Sequence, residues 1–220
     1  MPTMPVTSPA GQPGTPNAWF ASHAGRAITD SEQALVAEAL GGHPGLPWLW
    51  LAPAEPAAGV AGRGLCLVRR GAALDGPVRC GCPLPLPSEA FGTVVLQHVL
   101  GSSADDQALL EEAGRVLAPG GYLWLLVLNP LTPYRWRWRG QGMGASEPLA
   151  WRRRMRAAGL SPDAVSRGLG PRWREAPVDA VQDGPGLCAA YALRGQKRQL
   201  PLTPVRPRSA LRVPGAVPAA

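Results

Sequence analysis

The chain has 220 residues, 45% of them hydrophobic, enough for one α/β domain with a full core; 27 Gly and 26 Pro leave room for long loops and tails. No apolar run reaches the roughly 18 residues that a membrane span needs. Four cysteines are too few for a disulfide scaffold. The net charge of +7 is uneven: six cations and no acid lie from Arg194 onward, and seven arginines face one Glu147 between Arg135 and Arg156.

Residues 1–17 are rich in Pro, Gly, Ser and Thr and are read as a disordered N-terminus without the basic and apolar regions of a secretory signal; a cytoplasmic location is the expectation. Residues 18–28 read as a short helical lead-in. Thr29 and Glu32 have the spacing of a capping box, so a helix is expected to start there, carry Leu35, Val36 and Leu40 on one face and stop at Gly41-Gly42. Leu46–Leu51 and Leu65–Val68 are apolar runs typical of buried strands, with a Gly/Pro-rich stretch between them unsuited to a crossover helix. Val78–Cys82 reads as a third, short strand.

Thr93–Leu96 and Tyr122–Val127 are the clearest strands. Their unbroken apolarity suits a parallel sheet covered on both faces. Between them, Ser103 is placed to cap a helix over 103–117. Asp105 and Asp106 lie at its positive end, and Leu109, Leu110, Ala113, Val116 and Leu117 recur on one face. Pro119-Gly120-Gly121 is expected to end that helix and turn the chain. A unit of this length closes as a right-handed parallel crossover. Leu149–Gly159 reads as a helix with Trp151, Met155 and Ala158 inward, and Leu187–Leu193 as a last strand. The domain is therefore placed at 18–194 and a basic Pro/Arg-rich tail at 195–220. The fold class is α/β, Rossmann-like, a mostly parallel sheet with helices on both faces.

Leu84-Pro85-Leu86, Phe91-Gly92, Gln97-His98-Val99-Leu100 and Arg115-Val116-Leu117-Ala118-Pro119-Gly120-Gly121 occur in an order that resembles class I S-adenosylmethionine-dependent methyltransferases, type 11 group. Trp19-Phe20-Ala21-Ser22, Gly25-Arg26, Asn129-Pro130 and the ending from Lys197-Arg198 to Arg206-Pro207-Arg208 extend the likeness to a bacterial methyltransferase-like subfamily. The resemblance implies S-adenosylmethionine as cofactor and a methyl acceptor, small or macromolecular, that the residues do not name. It places the cofactor at Leu51, Ala52, Pro53, Glu55, Cys82, Gln97 and His98, over the carboxyl edge of the sheet, and a substrate mouth at Asn129, Pro130 and Tyr134. The chain departs from the family where the first strand should turn into a glycine-rich loop: here it reads Ala52-Pro53-Ala54-Glu55. Where a carboxylate should take the ribose hydroxyls stand Arg69-Arg70, and Asp75 would reach that place only by an unusual loop path.

His98, just past the fourth strand, is the candidate base, weighed against a histidine packed under a loop. Cys80 and Cys82 lack a second ligand pair, so no metal is expected. Asn129-Pro130 follows the fifth strand, not the fourth, which argues against nucleobase methylation. Tyr134–Arg139 alternates aromatic and cationic residues. If extended it would put tryptophans on one side and arginines on the other, suited either to covering the core or to meeting RNA or an anionic surface. The alternative function is thus a non-catalytic module that binds an acidic partner through this segment and the tail.

Overall fold

The computed structural model describes residues 16–56, 60–101 and 105–198. In order the elements are α1 (Pro16–Phe20), α2 (His23–Gly41), β1 (Trp48–Ala52), β2 (Gly64–Arg70), β3 (Ala73–Asp75), β4 (Phe91–Gln97), α3 (Asp106–Val116) and β5 (Leu117–Leu128). A 3₁₀ turn (Pro133–Arg137), α4 (Pro148–Ala157), β6 (Leu160–Pro162), β7 (Arg167–Leu169), β8 (Gln182–Asp183) and β9 (Ala190–Lys197) follow. The strands form one sheet in the order β3-β2-β1-β4-β5-β9-β7-β8, with β6 beside β9. β2, β1, β4 and β5 are parallel neighbours. β3, β6, β7, β8 and β9 pair antiparallel.

Side-chain alternation splits the core. Leu49, Leu51, Leu67, Val94, Leu96, Leu123 and Leu125 pack with Leu109, Leu110, Ala113 and Val116 of α3 and with Trp151 and Met155 of α4. Trp48, Trp50, Val95, Trp124 and Leu126 project to the opposite face, against Leu35, Val36, Ala39 and Leu40 of α2. Burial on both faces is why these strands read as continuous apolar runs. A third cluster, Trp19, Phe20, Ile28, Leu128, Tyr134, Trp138, Ala189 and Ala190, closes the carboxyl end of the sheet.

Several sequence expectations are corrected. The long helix begins at His23, not at Thr29, because the Ser22 side chain accepts a hydrogen bond from Gly25 N and caps it. Thr29 lies inside that helix, its hydroxyl donating to Arg26 O. The third strand is Ala73–Asp75, folded back on β2; Cys80 adds only a bridge to Leu74. Pro119-Gly120-Gly121 does not separate helix from strand: α3 passes directly into β5, Gly120 takes φ +78°, and a register shift between Phe91 and Thr93 absorbs the irregularity. The expected cap Ser103 lies outside the described residues, and Asp105 takes the N-cap position.

The 134–139 segment is a helical turn, not an extended strand. Tyr134 and Trp138 point inward while Trp136 is exposed. The proposed boundary at 194 falls inside β9, which continues to Lys197, where the ammonium donates to Leu117 O at 2.7 Å. At the other end α1 begins at Pro16, within the expected disordered segment, and the rest of 1–17 lies outside the described residues, as does most of the tail.

The elbow between α1 and α2 depends on a missing side chain. A Cβ on Gly25 would lie 2.3 Å from Trp19 O and 2.5 Å from Phe20 Cα, both backbone atoms that cannot swing away. Gly25→Ala is predicted to lower stability by about 1–3 kcal/mol, the usual range for overpacking, read as a drop in melting temperature; an unchanged melting curve would mean that α1 does not pack on α2 in this way.

Candidate functional site

The parallel strands β2, β1, β4 and β5 all end at one edge, where open α/β sheets bind their ligands. Leu51 and Ala52 end β1 buried, and Leu51 points into the core on the α3 side. Pro53 O accepts a hydrogen bond from the Asn17 side chain at 3.2 Å, which lays α1 across the end of β1.

Glu55 comes next, beside the arginines that end β2. Arg70 Nη2 donates to Glu55 Oε1 at 2.9 Å, and Arg70 Nε lies 3.4 Å from Asp75 Oδ2. Two carboxylates are therefore gathered at the end of β2, one from the β1 loop and one from β3. Arg69 points to the other face. Its Nη1 donates to Val99 O at 2.6 Å, reaching from β2 past β1 to the loop after β4. Cys82 is exposed near this end. Its thiol is pushed up by burial and by Glu112 and Asp105, against the opposite pull of Arg69.

Gln97 and His98 form the centre of a buried polar network. Trp50 Nε1 donates to Gln97 Oε1 at 3.1 Å, and Gln97 Nε2 donates to Glu32 Oε2 at 2.8 Å. His98 Nε2 lies 2.9 and 3.0 Å from the two Glu32 oxygens. Two oxygens facing one ring nitrogen are satisfied when that nitrogen carries the hydrogen, so Nε2–H is the donor and Nδ1 keeps the lone pair. Nδ1 is buried and has no hydrogen-bond partner among the described residues.

His98 has φ +50°, a left-handed conformation costly for a residue with a Cβ. Its N–H to Leu126 O (2.9 Å), its ring hydrogen bond to Glu32 and its stacking on Phe20, ring centroids 4.7 Å apart, hold it there. The ring lines a narrow cavity with about 10 Å³ of free volume, bounded also by Phe20, Leu100, Gly101, Leu128 and Met143, room for one water.

The expected substrate mouth is built differently. Asn129 is buried; its amide nitrogen donates to Gly186 O and Cys188 O, both at 2.9 Å, and its oxygen accepts from Leu131 N. Tyr134 is buried with its hydroxyl on Ala24 O at 3.0 Å, and burial, with the nearby Glu175 charge, pushes its phenol up to about 12. Both side chains spend their polar atoms tying loops together, leaving Pro130, half-buried, beside them. Among the described residues no His, Cys, Asp and Glu side chains gather as a metal site, and no helix is long and apolar enough to cross a membrane.

Sequence reasoning missed Glu32, assigning it to a helix cap. The signal was present: with Ile28, Leu35, Val36 and Ala39, position 32 falls on the buried stripe of α2, and a carboxylate there needs a polar partner across the interface.

A methyltransferase domain family matches residues 71–125, from the end of β2 through β3, β4 and α3 into β5. The match leaves out β1 and its glycine-free turn. No curated protein matches the chain. Among solved structures, an S-adenosylmethionine-dependent methyltransferase from Thermotoga maritima superposes with a TM-score of 0.56 at 19% identity, covering 82% of this chain and 93% of that one. A Haloferax volcanii complex that contains the Trm112 methyltransferase activator gives a TM-score of 0.52 at 17% identity, covering 84% of this chain and 99% of the matched one. The chain thus has the fold of class I S-adenosylmethionine-dependent methyltransferases, as the Gln97–Leu100 and Arg115–Gly121 blocks implied, and carries within it a methyltransferase domain sequence.

Glu32→Leu would strand the Gln97 amide and the His98 ring N–H without an acceptor. It is predicted to cost about 3–5 kcal/mol in urea unfolding. The exposed Glu38→Leu on the same helix is predicted to change stability by less than about 0.5 kcal/mol. Equal effects of the two would mean that the buried network is not formed.

Proposed function

We propose that this protein is an S-adenosylmethionine-dependent methyltransferase that works at the carboxyl edge between β1 and β4. The observation that carries the reading is the methyltransferase domain match on residues 71–125 together with a β2-β1-β4-β5 parallel core. The residues present fit the cofactor on one test: the Glu55 carboxylate, fastened by Arg70 and still exposed, supplies at the end of β2 the acceptor for ribose hydroxyls that β2 itself lacks. Ala52 and Pro53 would line the same turn, Cys82 the outer wall, and Gln97 would hold His98 and Glu32 in register.

When bound, S-adenosylmethionine brings a methyl group already activated on a positively charged sulfur, so the protein's task is to align an acceptor and remove its proton. His98 is the group for that proton. Glu32 holds Nε2–H, which turns the basic Nδ1 toward the reacting side and stabilises the ring once it has gained a second proton. Asn129 and Tyr134 would shape the mouth by tying its loops, with Pro130 beside them. The cavity at His98 has room for a single water, so an acceptor enters only if its lining moves aside.

Calorimetric titration with S-adenosylhomocysteine tests the site. Wild type is expected to bind weakly, and Glu55→Gln to weaken binding about tenfold or more, the worth of a charge-assisted hydrogen bond. Arg69→Asp, which puts an acceptor at the end of β2 in place of a donor, is expected to tighten it. Binding unmoved by both substitutions places the cofactor elsewhere, and no binding at any concentration removes the enzymatic reading.

A further inference from the structure

Three segments far apart in sequence leave the sheet at the same edge. Residues 131–139 follow β5. β7 pairs antiparallel with β9 and so runs in the direction of β5, and residues 170–175 follow it; Leu169 sits opposite Ala190, which in turn sits opposite Leu128. Residues 184–188 lead into β9 from that side. Side-chain bonds lock the three together. Thr132 Oγ1 donates to Leu187 O at 2.7 Å, and Asn129 clasps Gly186 and Cys188. Arg137 pairs with Glu175, which also meets His23 at 3.2 Å.

The arrangement displays Leu131, Trp136, Trp173 and Leu187 to solvent, with Trp136 68% and Trp173 67% exposed. Those three segments carry the exposed Arg135, Arg137, Arg139, Arg172 and Arg174 against one acid, Glu175. Arg139 stacks over the Trp136 ring at 5.1 Å, which holds that indole outward. Exposed apolar residues are ordinary singly; here two indoles and two leucines stand on clasped loops that also carry five exposed arginines.

We propose that this edge is a docking surface for an anionic lipid bilayer. The arginines match a negative headgroup layer in charge, and indoles with aliphatic side chains gain by entering the acyl boundary. Leu131 and Leu187 decide against single-stranded nucleic acid, where stacking rewards planar rings and leucine gains little. The surface adjoins the candidate methyl-transfer site but does not depend on it, because its residues lie on the β5–β9–β7 side and touch neither Glu32 nor Glu55.

Full-length protein is sedimented with vesicles of phosphatidylcholine alone, or of phosphatidylcholine with phosphatidylglycerol, and in parallel is titrated with a short single-stranded RNA. Two exposed double variants, Trp136→Ala with Trp173→Ala and Leu131→Ser with Leu187→Ser, are compared after circular dichroism confirms folding. Binding to anionic but not neutral vesicles is expected, weakening with salt and falling about tenfold or more in each double variant. Absence of vesicle binding, or binding equal to wild type in the variants, overturns the proposal. RNA binding without vesicle binding also overturns it, in favour of a nucleic acid.

Discussion

Glu32 is a carboxylate on the sheet-facing side of a helix, with no exposed surface. A charge in that position is tolerated only if it is paired and fully hydrogen-bonded. The Gln97 amide and the His98 ring meet that demand, and both sit at the carboxyl end of β4. The pairing therefore does more than satisfy a buried acid. It fastens α2 to the point on the sheet where the chain leaves β4, holds His98 in a left-handed backbone conformation and leaves Nδ1 as the free basic atom. Trp50 extends the network to β1 through its indole N–H. A local polar requirement thus orders the junction of β1, β4 and α2 around which a ligand would be held.

The same edge is organised on its other side by hydrogen bonds of a different kind. Asn129 and Thr132 use side-chain atoms to hold the carbonyls of the 185–188 loop, and Tyr134 ties the 3₁₀ turn to α2. These bonds replace what regular secondary structure would supply and make rigid loops of segments rich in glycine and proline. Gly144 belongs to this packing: a Cβ there would stand 1.7 Å from Gly101 O, so the loop before α4 presses directly on the chain after β4. Rigidity here is what lets exposed indoles and arginines form a defined surface.

The strands of the parallel core were legible because burial on both faces leaves an unbroken apolar run, and α3 because its apolar residues recur at helical spacing above a run of acids. Helix starts were less legible. Ser22 and Thr29 both have the chemistry of a cap, and only the contact of the preceding turn with Gly25 decides between them. The strands of two and three residues near the end, β6, β7 and β8, are too short to carry a period; β6 and β7 exist because β9, paired with β5 on one side, offers them its other edge, and β8 because β7 does the same for it. The Pro119-Gly120-Gly121 run was misjudged for a related reason. A turn sequence can be absorbed into a strand as a bulge when the neighbouring strand shifts register to meet it.

What the sequence by itself determined was the composition of the layers: which runs are buried on both sides, which helix carries one apolar stripe, and that β2 ends in two arginines. Tertiary structure alone decided how the charged side chains pair. Glu55 reaches Arg70 across 15 positions, Glu32 reaches His98 across 66, and Arg137 finds Glu175 from the far side of α4. Periodicity reports only how each segment meets its own neighbours, whereas a charged pair depends on the distance between segments after packing. In this protein the polar groups of the candidate site are nearly all partnered across such distances.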